Sequence, residues 1–94
     1  MNDFFASLGK RWREAAQRRG ARIDEPEVAP SVASELLELA RVAAHTKERR
    51  FAPLATYTAG VAAERLRAAK GADNDVIATF IREVREELER ESPA

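Results

Sequence analysis

Residues 52–71, APLATYTAGVAAERLRAAKG, predict the helix around which the fold is organised. Pro53 lies in the first turn, where its missing N–H costs no hydrogen bond, and Gly71 is placed to close the helix in a left-handed conformation. Two apolar stripes run between them: Leu54, Tyr57, Val61 and Ala68 form the first, and Ala55, Ala59, Ala62, Leu66 and Ala69 form the second. A helix with two apolar faces is expected at the centre of a bundle.

The rest of the chain shows the same helical period. Only four glycines and four prolines occur in 94 residues, β-branched runs are absent, and apolar residues recur about every 3.6 positions. We therefore predict an all-α, four-helix bundle-like single domain over residues 1–94. The predicted helices are 3–19, 31–45, 52–70 and 74–91, the last capped by Asp73 or Asn74, and residues 20–30 are predicted to form a linker.

The overall charge argues against nucleic acid as a partner. Sixteen cations balance sixteen anions, so the formal net charge is zero and no global field would hold DNA or an anionic membrane. The chain has no cysteine, which excludes disulfides and thiolate metal sites and makes the cytoplasm the simplest setting. Neither a signal peptide nor a membrane span is predicted.

Charge alternates along the chain. Residues 1–22 carry six cations and two anions, residues 23–40 carry five anions, residues 41–70 carry seven cations and two anions, and residues 71–94 carry three cations and seven anions. This pattern suits helices that pack beside neighbours of opposite sign, within one chain or between two. Together with the two-faced third helix, it predicts self-association as a homodimer, or binding to another protein.

The sequence contains no motif for catalysis. The glycines at 9, 20, 60 and 71 are isolated, so no glycine-rich phosphate loop is present, and one histidine cannot supply the ligands of an ordinary zinc or di-iron site. No nucleophile elbow surrounds any serine. We therefore predict no catalytic residue, no metal site and no cofactor, and expect a protein that is not an enzyme.

A helix-turn-helix DNA reader is an alternative, since the second and third predicted helices flank a basic connector. The connector is about six residues long rather than three or four, and the following helix begins Pro-Leu-Ala-Thr-Tyr, with few side chains that read base edges. DNA binding is accordingly not expected.

The first helix places Phe4, Phe5 and Trp12 on one stripe and four cations outside it. Such a helix could bind a membrane surface or a partner. The interpretation we favour is that these aromatic residues fill the core of a small domain.

The connector itself is the candidate site. His45, Lys47, Arg49 and Arg50 lie just before the third helix, whose free N–H groups and positive dipole end favour an anion, so these four residues could bind a small anion such as phosphate. The competing interpretation is structural. A histidine near a helix end can cap the last carbonyls, and the cations can form a solvated charged connector.

Residues 36–62, LLELARVAAHTKERRFAPLATYTAGVA, resemble the core of a family of small, mostly actinobacterial proteins of unknown function. The shared pattern is Leu-Leu-x-Leu-Ala-Arg-x-x-Ala-His, then an arginine four residues on, then Ala-Pro-Leu and a helix rich in alanine and glycine. His45 and Arg49 match it. The resemblance implies a domain found alone or fused to proteins similar to molybdenum-cofactor guanylyltransferases.

Two functions remain open from the sequence. The first is a small helical interaction or accessory module, linked through the resemblance to a nucleotide- or molybdenum-cofactor-handling enzyme. The alternative is a small anion- or nucleotide-binding protein that uses the basic connector before the third helix.

Overall fold

The computed structural model describes residues 3–91, and over that range the protein is helical without strands. Its elements are α1 (Asp3–Arg18), α2 (Pro30–Thr46), a 3-10 turn (Arg49–Phe51), α3 (Ala52–Lys70) and α4 (Asn74–Arg90). The predicted all-α class with four helices is thus confirmed. Pro30 is the first helical residue of α2, the position where proline's missing N–H costs no hydrogen bond.

The chain divides into two compact units, one ending at Pro30 and the other beginning at Ser31. In the first unit the linker runs back along α1. Gly9 is buried against it, and a Cβ at that position would lie 2.8 Å from the Pro26 carbonyl oxygen. Arg13 donates to the Glu25 carboxylate at 2.6 Å. A backbone contact that only glycine allows and one ion pair therefore hold the linker on α1.

The aromatic residues of α1 keep much of their surface exposed. Phe4, Phe5 and Trp12 are 64%, 42% and 56% exposed, and the Phe4 and Phe5 rings meet edge to face with centroids 5.0 Å apart. The expectation that they fill a core is wrong. The aromatic side chains are exposed because the linker packs on the face of α1 that carries Gly9 and Arg13, and this face is rotated away from the aromatic stripe.

The second unit has a small aliphatic core. Its buried apolar residues are Val32, Leu39, Val42 and Ala43 of α2, Ala63 of α3, and Ile77, Ala78 and Ile81 of α4. Ile77 has no exposed surface at all. The core draws most of its side chains from α2 and α4.

One buried carboxylate joins α2 to α4. Glu35 is 8% exposed, and its two oxygens accept from Arg82 Nε at 2.8 Å and from a terminal nitrogen of Arg85 at 3.3 Å. Arg85 also donates to Glu89 at 2.5 Å. A buried carboxylate is tolerated only when it is paired and hydrogen-bonded, so these contacts fix how the two helices face each other.

Short-range capping joins α3 to α4. Gly71 has φ of 64° and donates its N–H to the Arg67 carbonyl at 2.7 Å, which closes α3 in the left-handed conformation. The Asp73 carboxylate accepts from the Val76 N–H at 2.9 Å and caps α4. Both predicted caps are confirmed. Arg67 donates to the Asn74 side chain at 2.7 Å and reinforces the turn.

Two glycine substitutions are expected to change stability in opposite directions. Gly71→Ala places a Cβ in the left-handed region and should lower the free energy of unfolding by about 1 kcal/mol. Gly60 lies inside α3, and a Cβ added there would meet nothing within 4 Å, so Gly60→Ala should raise the free energy of unfolding by up to about 1 kcal/mol through helix propensity. Urea unfolding of both variants measures the difference, and equal signs would contradict the expectation.

Candidate functional site

The predicted basic residues occupy the end of α2 and the 3-10 turn that follows it. His45 lies in the last turn of α2, Lys47 comes just after, and Arg49 and Arg50 belong to the turn. All four residues are exposed. They share one short segment of surface, and no hydrogen bond or ion pair within residues 3–91 joins any of them to another of the four.

Their individual contacts differ. Arg50 Nε lies 2.6 Å from a Glu48 carboxylate oxygen, so its charge is already paired. Within the described range, the side chains of His45, Lys47 and Arg49 have no hydrogen bond or ion pair. The capping role considered for His45 falls instead to Thr46, whose hydroxyl donates to the Val42 carbonyl at 2.8 Å.

The 3-10 turn also occupies backbone donors that the anion hypothesis requires. The Phe51 N–H donates to the Glu48 carbonyl at 2.9 Å, the Ala52 N–H donates to the Arg49 carbonyl, and Pro53 has no N–H. The start of α3 is therefore poorer in free donors than a helix that begins directly after a loop. What the connector retains for an anion is three exposed side chains.

A second candidate is the exposed surface of α3. The expectation that both apolar stripes are buried at the centre of a bundle is wrong, because Ala63 is the one α3 residue that is buried. Leu54 and Tyr57, from the first stripe, are 62% and 72% exposed. The physical reason is that the chain covers α3 mainly on the side of Ala63, which belongs to neither stripe. The first stripe therefore stays largely exposed, and most of the second stripe is only half-buried.

The second stripe of α3 and the adjacent side of α4 form a shallow apolar groove. Three neighbouring concavities share Phe80, and two of them also share Leu66. Together they run from Leu88 and Val84 at one end to Val76 and Ala69 at the other. The remaining lining residues are Leu39, Ala55, Tyr57, Thr58, Ala59, Val61, Ala62, Arg65, Asp75, Thr79, Ile81 and Glu83. We call this surface the α3–α4 groove.

The two rims of the groove carry opposite charges. Arg65 lines the α3 side, and Asp75 and Glu83 line the α4 side. In the described part of the chain none of these three makes an ion pair, whereas the nearby Glu64 is paired with Arg67 at 3.1 Å. The groove thus combines exposed apolar area with unpaired charges of both signs.

Over residues 3–91 no group of three or more histidine, aspartate or glutamate side chains is placed to hold a metal ion. In the same range no helix is both long and apolar enough to cross a bilayer.

Fold and surface together define a small all-α protein whose most distinctive feature is an uncovered apolar groove. The chain belongs to the DUF6457 family, a domain family of unknown function whose model matches residues 6–94. The expected membership in a family of unknown function is confirmed. No curated protein and no solved structure is significantly similar to the chain.

Sequence reasoning does not find the groove, although its signal is present. The two-stripe pattern of α3 is interpreted from the sequence as two buried faces of one domain. The same pattern is produced by a helix that is covered on one side by its own chain and on the other by a partner.

Proposed function

We propose that this protein is a non-enzymatic interaction module that binds an apolar helical surface of a protein through the α3–α4 groove. The observation that carries the proposal is the exposure of Tyr57 in the lining of the groove and of Leu54 on the same stripe of α3. Large apolar side chains grouped on one exposed surface, with polar residues at the rim, are typical of protein interaction sites. Helices commonly bind in such grooves through residues spaced three and four apart.

The proposal includes a cytoplasmic setting and an accessory role. The lack of cysteine favours the cytoplasmic setting. The resemblance of residues 36–62 implies the accessory role, in which the protein serves a nucleotide- or molybdenum-cofactor-handling enzyme. Neighbouring genes for molybdenum-cofactor synthesis would support that role, and co-purification with such an enzyme would test it directly.

Site-specific photocrosslinking in the native cells tests the groove. A benzophenone amino acid at position 57 is compared with the same residue at position 37, because Tyr57 and Leu37 are both 72% exposed. We expect a discrete protein adduct from position 57, which can be identified by mass spectrometry and reconstituted from purified components, and none from position 37. Failure to obtain any adduct from position 57, or an identical adduct from both positions, would contradict the proposal.

A second candidate function is anion binding by His45, Lys47, Arg49 and Arg50. The observation that favours it is that His45, Lys47 and Arg49 have no ion-pair partner within the described residues. The already paired Arg50 and the occupied backbone donors make this candidate weaker than the groove.

If the connector binds an anion, phosphate at low ionic strength should raise the melting temperature, because a ligand that binds only the folded state stabilises it by mass action. Arg49→Ala should abolish that increase and leave the melting temperature in phosphate-free buffer unchanged. Arg18→Ala, at an exposed basic residue of α1, is the control and should retain the phosphate effect. A wild type that phosphate does not stabilise would eliminate this function.

A further inference from the structure

The α3–α4 groove has the properties of a surface that pairs with a copy of itself. A partner surface that carries charge of only one sign would be attracted to one rim of the groove and repelled by the other. Arg65 and the Asp75–Glu83 side carry opposite, unpaired charges on the two rims, so the groove contains both halves of an ion-paired interface. A two-fold axis brings the same surface of two copies together, so the basic rim of one copy can face the acidic rim of the other.

We propose, building on the interaction function above, that the partner of the groove is a second copy of this chain. The two α3–α4 pairs form a four-helix interface around a two-fold axis parallel to the helices. In this arrangement α3 of each copy lies against α4 of the other, and Leu54, Tyr57 and Val61 are covered. Arg65 of each copy faces the acidic rim of its partner.

The direction of the axis follows from the charges. An axis parallel to the helices leaves each residue at its own height, and Arg65 is level with the part of α4 around Phe80, which lies between Asp75 and Glu83. The dimer therefore contains two contacts between opposite charges, one from Arg65 of each copy to the acidic rim of its partner. An axis perpendicular to the helices would place α3 on α3 and the acidic rim on the acidic rim, which like charges oppose.

The interface also explains the composition of α3. Its first stripe is apolar along much of the helix, yet within one chain the single buried residue of α3 is Ala63, which lies on neither stripe. A dimer buries both stripes, which is what a helix with two apolar faces requires. In such a dimer α3 would be the central helix that its two apolar stripes predict, which it is not in the single chain.

Sedimentation equilibrium of the full chain, with charge-swap variants, tests the proposal. Wild type should be dimeric at about 100 μM and dissociate on dilution. Arg65→Glu and Glu83→Arg should each raise the dissociation constant at least about tenfold, because each change places like charges together twice by symmetry. The double variant should recover to within about threefold of wild type, since the pairs are restored with reversed sign.

Matched controls separate the interface from general effects of charge and exposure. Glu86→Arg reverses an exposed α4 charge that does not line the groove and should leave the dimer intact. Tyr57→Asp should abolish the dimer, whereas Leu37→Asp, at an equally exposed residue, should not. Because the changed side chains are exposed, circular dichroism should show every variant helical.

A monomeric wild type at about 100 μM would overturn the proposal, as would a dimer that survives Tyr57→Asp. If the double variant dimerises no better than the single variants, the arrangement in which α3 of each copy lies against α4 of the other is wrong. If wild type is monomeric and position 57 crosslinks to a different protein, the second copy is wrong and the interaction module stands. If position 57 gives no adduct at all, both proposals fail.

Discussion

Replacing Glu35 with alanine is expected to lower the free energy of unfolding by about 3 kcal/mol, because it removes the buried carboxylate that two arginines share. Arg85, which is mostly buried, then keeps only its contact with Glu89. Glu35 is 8% exposed and accepts hydrogen bonds from two arginines of α4. In a domain of this size the loss corresponds to a fall in melting temperature of more than about 10 °C.

Glu38 provides the matched control for Glu35. It lies one turn later on α2 and pairs with Arg41 at 3.0 Å, but both side chains are about half exposed. Exposed pairs add little to stability, so Glu38→Ala should leave the melting temperature almost unchanged. Equal effects of the two substitutions, measured by thermal unfolding at pH 7, would show that burial of Glu35 does not govern its contribution.

The Glu38 pair also sets the sign of a small pH effect. The hydrogen bond and the charge of Arg41 lower the pKa of Glu38. A carboxylate whose folded pKa is lowered stabilises the fold above its unfolded pKa, and this contribution is lost as the pH falls through the lowered value. The effect should therefore appear only under acid conditions and be absent at neutral pH.

Ile77→Ala is the second substitution with a large expected effect. The side chain has no exposed surface, so truncation both removes buried apolar area and leaves a cavity, at a cost of about 3 to 4 kcal/mol. Chemical unfolding should show a lower midpoint with a nearly unchanged dependence on denaturant.

Leu37→Ala removes a side chain of the same size from an exposed position of α2. Because Leu37 is 72% exposed, its truncation should change the free energy of unfolding by less than about 0.5 kcal/mol. A loss as large as that of Ile77→Ala would mean that Leu37 is covered in solution, and the core would then extend beyond the residues buried in the single chain.

The helices could be predicted because their signals are local. Gly71 and Asp73 end one helix and start the next through contacts within four residues, and such contacts can be inferred from spacing alone. The close approach at Gly9 could not be inferred, since the atom that excludes a side chain there belongs to Pro26, seventeen positions away.

Ion pairs between residues distant in sequence could not be predicted either. The i,i+4 spacing predicts three pairs on α4: Arg82 with Glu86, Arg85 with Glu89, and Glu86 with Arg90. Arg85 makes the expected contact, but Arg82 pairs with Glu35, which is 47 positions earlier in the chain. A helix-surface rule assumes that no other element is near, and tertiary packing supplied a buried carboxylate in its place. For the same reason the α3 pattern did not reveal which of its two faces the chain itself covers.

The short connection between α3 and α4 has a consequence for the order of folding. Residues 71–73 are all that separate the two helices, so their contacts are close in sequence and cost little loop-closure entropy. The contacts from Glu35 to Arg82 and Arg85 span 47 and 50 residues, and should form later. The second unit is therefore expected to nucleate at its C-terminal helix pair, with α2 docking last. During synthesis α2 leaves the ribosome first and must wait for the helices on which it packs.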